Sequence, residues 1–272
     1  MISKNQVKQI VSLHQGKFRK LHKQFIAEGP KVVGELLAGS FNVIAVYALN
    51  EWNDESRELA RQKQIPVFEI THEELGKISA LVTPNLVLAV AANETAVLDW
   101  GLLKKSLTLM LDGIRDPGNL GTIIRIADWF GIGQIICSPD CVEVYNPKVI
   151  QAAMGSAYRV KVFYQELGAF LEDLPVGLPV FGASLDGKAI SGLELPSNGI
   201  VMIGSESHGI SPDLQSFMTQ KLFIPSFQNG SPGTGLAESL NASVATAVML
   251  YEFRRQQTYS DSGDTGCNCH HV

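Results

Sequence analysis

The sequence predicts an α/β protein in two parts, a small α/β unit followed by a mainly parallel sheet covered on both faces. Three observations lead there. Short apolar runs rich in β-branched and aromatic residues alternate with helix-period segments along most of the chain, without an internal repeat. Polar loops follow apolar strands at Asp112, Gly204 and Pro225, positions that fall at the carboxyl ends of strands in a parallel sheet. Finally, 272 residues suffice for one large or two small cores.

The elements are expected in the following order. A polar-faced helix over residues 3–15 leads to a short strand near 22–27. Gly29-Pro30 then opens a helix through Leu37. The run 41–49 is β-branched and aromatic and bounded by Ser40 and Asn50, hence a buried strand. A charged helix over 54–64 is closed by Ile65-Pro66, a strand covers 67–70, Thr71 caps the next helix, and 86–92 is a strand. These make a first domain over 1–93. Residues 94–106 carry no strong period and are read as a linker. A second domain over 107–258 begins with the strand 107–111, then a helix from Leu120, a strand at 134–137, a helix at 147–157 and strands at 160–163 and 179–183. After Asn198-Gly199 come a strand at 200–203, a helix near Pro212, a strand at 221–224 and a last helix to about Arg255. The Ser/Asp/Gly/Thr-rich end, 259–272, is expected to be disordered, with any metal affinity of its Cys267, Cys269, His270 and His271 incidental.

Composition narrows the function classes. No apolar run approaches the roughly 20 residues of a membrane helix, and the polar, basic start does not read as a secretory signal. Four cysteines are too few for a disulfide scaffold and fit a reducing, cytoplasmic setting. Cys137 and Cys141 flank a Ser-Pro-Asp turn but lack a second ligand pair, so no metal is expected. The net charge of −5 is unevenly spread. Lys4, Lys8, Lys17, Arg19, Lys20, Lys23 and Lys31 face only Glu28 within the first 31 residues, a local +6 that leaves −11 for the rest. Such a lobe is a candidate RNA contact, Lys17, Arg19, Lys20 and Lys23 above all, although a solvated helix face has the same charge.

The usual nucleotide signatures fail. Gly204 to Gly209 has the glycine spacing of a triphosphate loop, but Ile210 stands where lysine is needed. Gly131-Ile-Gly133 precedes a strand and lacks the third glycine of a dinucleotide loop. Three polar loops remain. In the first, Pro117-Gly118 turns the chain, Asn119 can cap the helix, and Arg125 either points back toward the helix start or pairs with Asp128 at the surface. In the second, Gly204 and Gly209 let backbone approach a bulky ligand, and Glu206 either binds a ribose hydroxyl, orients Arg125 or caps a helix. In the third, Ser239 and Asn241 open the last helix, where free N–H groups can bind an anion or be capped by these side chains.

Together, NLGTIIRIADWFG from Asn119, VMIGSESHGIS from Val201 and FIP…ESLNASVATAVMLYE from Phe223 resemble the ordered motifs of the SpoU/TrmH family of SPOUT methyltransferases. The likeness covers 107–255, and the leading segment is similar to that family's small ribosomal-protein-like RNA-binding domain. The resemblance implies a C-terminal trefoil-knotted α/β domain, a homodimer, and transfer of a methyl group from S-adenosylmethionine to a ribose 2′-hydroxyl of rRNA or tRNA without a metal. It implies catalytic roles for Arg125, Asn119, Glu206, Ser239 and Asn241. It further implies donor contacts at Ile203, Gly204, Ser205, Gly209, Ile224, Pro225, Ser239 and Leu240. Arg125 is either a general base or, since guanidinium stays protonated, a ligand of phosphate or a developing alkoxide. The stretch 226–237 is longer than the family's usual link, so donor contacts there are not carried over. The alternatives are a catalytically silent RNA-binding protein of the same fold, and an α/β enzyme using another nucleotide-like molecule.

Overall fold

A computed structural model describes residues 2–52, 54–227 and 239–257. The 259–272 tail and most of the 226–237 stretch lie outside the described residues.

The first part opens with α1 (Lys4–Ser12), started by a reciprocal capping box between Ser3 and Gln6, and α2 (Gly16–His22). There follow β1 (Gln24–Glu28), α3 (Pro30–Ala38), β2 (Val43–Ala48), α4 (Asp54–Gln62), β3 (Val67–Glu69), α5 (His72–Ile78) and β4 (Val87–Ala92). Thr71 caps α5 as its sequence predicts, with Glu74 completing the box. The sheet runs β1-β4-β2-β3. Its central strand β4 is antiparallel to both neighbours, while β3 joins β2 in parallel.

The second part holds α6 (Trp100–Lys105), β5 (Leu107–Asp112), α7 (Pro117–Trp129), β6 (Gln134–Cys137), α8 (Pro147–Ala153), β7 (Lys161–Tyr164) and α9 (Leu167–Glu172). It ends with β8 (Val180–Ala189), β9 (Gly199–Gly204), β10 (Gln220–Phe223) and α10 (Ala242–Arg255). Six parallel strands form a sheet in the order β10-β8-β9-β5-β6-β7. Strands β5 and β9 are fully or nearly fully buried, as a sheet covered on both faces requires. Because β9 sits between β5 and β8, the direction of winding reverses there, and a crevice opens at the carboxyl ends of these strands.

Several expectations need correction. The 94–106 segment contains α6, whose Asp99 accepts from the N–H groups of Gly101 and Leu102 and whose Leu103 is fully buried; six residues are too few to show a period. The short helix α9 is absent from the expected order for the same reason. Helix α8 ends four residues early, because Met154 and Gly155 both take left-handed φ. Asp116, not Asn119, caps α7. Strand β8 runs six residues past its predicted end, and its pairing with β10 jumps from Gly182 to Lys188. Residues 183–187 therefore bow out of the pairing with the edge strand β10.

The two parts share one apolar core. Phe25 of β1 stacks on Tyr145 at 4.6 Å, and Phe41 meets Tyr158 edge-on at 5.2 Å. Burying a ring such as Phe25 contributes about 1.5–3 kcal/mol. Arg19 corrects the charge reading: it is buried, donates to Leu13 O and forms an ion pair with Glu143 at 2.8 Å. It ties α2 to the second part instead of facing RNA. Lys17, Lys20 and Lys23 remain exposed.

Candidate active site

A cavity of about 730 Å³ lies at the carboxyl ends of β8, β9 and β10, within the size range of nucleotide-like ligand sites. The turn after β9 forms its floor. Gly204 lies so close to Gly209 that an added Cβ would fall 2.0 Å from the Gly209 carbonyl carbon, and Gly209 itself has φ +66°. Only glycine fits the first position, and the second favours it strongly. Ser211 donates its N–H to Asp112 at 2.7 Å, tying this turn to the end of β5.

Ile203, Gly204, Ser205, Gly209, Ile224, Pro225, Ser239 and Leu240 all line this cavity, as does Glu206. Met249 and Ala245 of α10 and Met218 add apolar wall. Sequence reasoning missed the wall from Ala183 to Asp186, the part of β8 that bows out. Its signal was the flanking pair Gly182 and Gly187. A Cβ on either would collide, with Met218 Sδ at 2.3 Å or with the Lys221 carbonyl carbon at 2.7 Å.

Beside the cavity the three loops meet. One carboxylate oxygen of Glu206 accepts from Asn119 Nδ2 at 2.5 Å, Asn241 Nδ2 at 3.2 Å and the Ala242 N–H at 3.1 Å. Asn241 Nδ2 also donates to Asn119 Oδ1 at 2.9 Å. Asn241 Oδ1 caps α10 by accepting from Ser243 N at 3.0 Å. Because Asp116 accepts from Asn119 N, the Asn119 side chain is free for this cluster. Glu206 thus caps a helix, but the last one and not the one that follows it. Its position at the positive end of α10 also suits a carboxylate.

Arg125 stands apart. It is exposed on α7, outside the cavity lining, and no hydrogen bond or ion pair joins it to any described residue. Its expected surface partner Asp128 is held by Arg159 and by Ser156 Oγ at 2.8 Å. Nor does Asn119 contact it. Near it an apolar face is uncovered: Trp129 on α7, and Val244, Val248 and Tyr251 on the adjoining α10.

Two other features are structural. Cys137 and Cys141 are free and buried, and Cys141 Sγ accepts the Ile114 N–H at 3.2 Å, anchoring the loop after β5. A hydrogen bond from Cys137 lowers the Cys141 thiol to about 7 against the opposing effect of burial. Among the described residues no three His, Cys, Asp or Glu side chains are grouped so as to hold a metal ion. A second concavity of about 600 Å³, between α4 and β3, has its cations engaged. Arg57 donates to the Leu49 and Trp52 carbonyls, and Arg61 pairs with Glu58.

Residues 106–251 match the SpoU rRNA methylase family, and residues 4–89 match the MRM3-like substrate-binding domain. The chain belongs to the SpoU methylase family. Within it, the 23S rRNA (guanosine(2553)-2′-O)-methyltransferase RlmP of Bacillus subtilis is 27% identical, over 93% of this chain and 97% of that protein. A structure described as a TrmH-family RNA methyltransferase from Porphyromonas gingivalis has 34% identity and a TM-score of 0.79, covering 94% of this chain and all of that one. The fold is shared with an AdoMet-bound rRNA methyltransferase from Sinorhizobium meliloti, at 24% identity and a TM-score of 0.81, over 95% and 98% of the two chains. As an SpoU methylase the chain is a methyltransferase that pairs a substrate-binding part with a parallel-sheet catalytic part.

Proposed function

We propose that this SpoU methylase transfers a methyl group from S-adenosylmethionine to a ribose 2′-hydroxyl in structured RNA, rRNA or tRNA. The observation that carries the reading is the meeting of all three motif loops beside one cavity, locked together by Glu206. The cavity fits the donor by its chemistry. Ile203, Ile224, Leu240 and Met249 offer apolar wall to a nucleobase, while Ser205, Glu206 and Asp186 offer polar atoms to a ribose or an amino-acid end. The close turn at Gly204 keeps side-chain atoms out of that space. When bound, the sulfonium supplies a methyl group that is already electrophilic.

The chain's own residues have the remaining work. Asn119, Glu206 and Asn241 fix the three loops relative to one another, so that both reactants are held without reorganisation during the step. Arg125 carries a cation with no partner among the described residues, suited to a substrate phosphate or to charge developing on the 2′-oxygen as its proton passes to solvent. The reading takes residues 1–93 as the RNA-binding domain, with Lys17, Lys20 and Lys23 as phosphate contacts. It includes a trefoil threading of the 107–258 domain and a homodimer in which a second copy covers Trp129, Val248 and Tyr251. Sedimentation as a monomer at micromolar concentration would remove the dimer from this reading.

The test is incubation of the protein with labelled S-adenosylmethionine and RNA from cells lacking the gene, followed by nucleoside analysis. Label in a 2′-O-methyl nucleoside is expected. Donor binding without transfer to any RNA, even with the dimer intact, would favour the catalytically silent RNA-binding alternative.

A further inference from the structure

A carboxylate three residues along a helix from an arginine is its natural partner, because side chains at i and i+3 are neighbours on the surface. Asp128 stands in that relation to Arg125, and α7 exposes Arg125 fully enough for the pair to form. The structure shows a different arrangement. Asp128 Oδ2 accepts from Arg159 Nε at 2.9 Å, from Arg159 Nη2 at 2.8 Å and from Ser156 Oγ at 2.8 Å. The remaining arm of Arg159, Nη1, reaches Glu35 of α3 at 2.6 Å.

The backbone is shaped to deliver these donors. Met154 at φ +53° and Gly155 at φ +93° turn the chain sharply out of α8 into the short 3-10 turn Ser156–Tyr158, which ends at Arg159. A Cβ on Gly155 would lie 2.8 Å from Glu35 Cγ, so the turn also admits the acid that orients Arg159 from the other side. Three donors from outside α7 converge on Oδ2 and fix how the carboxylate is turned.

We propose that Arg159 is a positioning residue for methyl transfer: by engaging Asp128 it keeps that carboxylate off Arg125 and leaves the Arg125 guanidinium to the RNA. This rests on the role given to Arg125 above. Without Arg159, Asp128 becomes a competitor for Arg125 and an uncompensated negative charge beside the incoming phosphate. Arg159 Nη1 also reaches Glu35 of the substrate-binding part, a contact on which the proposal does not depend.

The test compares RNA methylation by R159A, R159Q, D128N and the D128N/R159A double variant, with S-adenosylmethionine affinity measured by calorimetry. R159A and R159Q are expected to lower kcat/KM for RNA on the order of tenfold, at unchanged donor affinity. D128N alone is expected to stay near wild type, and D128N/R159A to recover to within about threefold of it, because the competing charge is gone. A merely structural Arg159 predicts no such recovery, since D128N does nothing to rebuild the link to Glu35; a double variant as impaired as R159A overturns the proposal. Full activity of R159A and R159Q overturns it as well. Failure of the underlying reading looks different: R125A would then keep its activity, whatever the Arg159 variants do.

Discussion

The two ends of α7 are built on opposite plans. At its first turn, Asn119 is held by Asp116, Glu206 and Asn241, and the polar cluster is complete within one chain. Two turns later, Arg125 has no described partner and is followed by an uncovered Trp129. Helix α2 repeats the contrast on a smaller scale: Arg19 is buried against Glu143, while Lys17, Lys20 and Lys23 face solvent. Groups that fix the cavity are internally satisfied, and the groups proposed to meet RNA or a second copy are left open. A donor site must exist before the substrate arrives, whereas the cation for the substrate is useful only if nothing else has claimed it.

That contrast can be broken at four places, taken in order of expected effect. Arg125→Ala removes the open cation and should lower kcat about 10²–10³-fold, with donor affinity measured by calorimetry unchanged. A matching loss of donor affinity would show that α7 is not divided as described. Arg19→Ala leaves a partly buried Glu143 unpaired and should cost about 2–3 kcal/mol in denaturant unfolding, below the value for a fully buried pair because Glu143 keeps some exposure. Glu206→Ala deprives Asn119, Asn241 and the Ala242 N–H of their shared acceptor, a loss of about 1 kcal/mol since the cluster is reached by water. It should weaken donor binding and slow transfer together, unlike Arg125→Ala. The mildest in stability is the triple Lys17→Gln, Lys20→Gln, Lys23→Gln. It should leave the melting temperature alone but reduce the slope of log affinity for RNA against log salt by about 2–3. An unchanged slope would move the RNA contact elsewhere.

Much of this is legible without coordinates. The three motif loops fall after the right strands, because apolar runs ending in Asp, Gly or Pro, here at Asp112, Gly204 and Pro225, mark the carboxyl ends of buried parallel strands whatever surrounds them. Ile203, Gly204, Ile224 and Leu240 meet at one cavity for that reason. The wall at Ala183–Asp186 leaves only its flanking glycines in the sequence, since its shape comes from the pairing jump between β8 and β10. Arg19 escapes a charge count because such a count cannot tell which face of a short helix turns inward. The pairing of Asp128 escapes a helix-spacing argument, which sees neighbours three apart but not Arg159, thirty-one residues away in the chain.

The sequence by itself determined the order of the strands and of most helices, the parallel character of the second sheet and the three motif segments, since local periodicity and turn chemistry are properties of short stretches. Helices α2, α6 and α9 are too short to show such a period. Tertiary structure alone decided which polar groups are satisfied and which stay free. Hydrogen-bond partners such as Glu206 and Asn119, or Asp128 and Arg159, lie far apart along the chain, and only packing settles how they are shared.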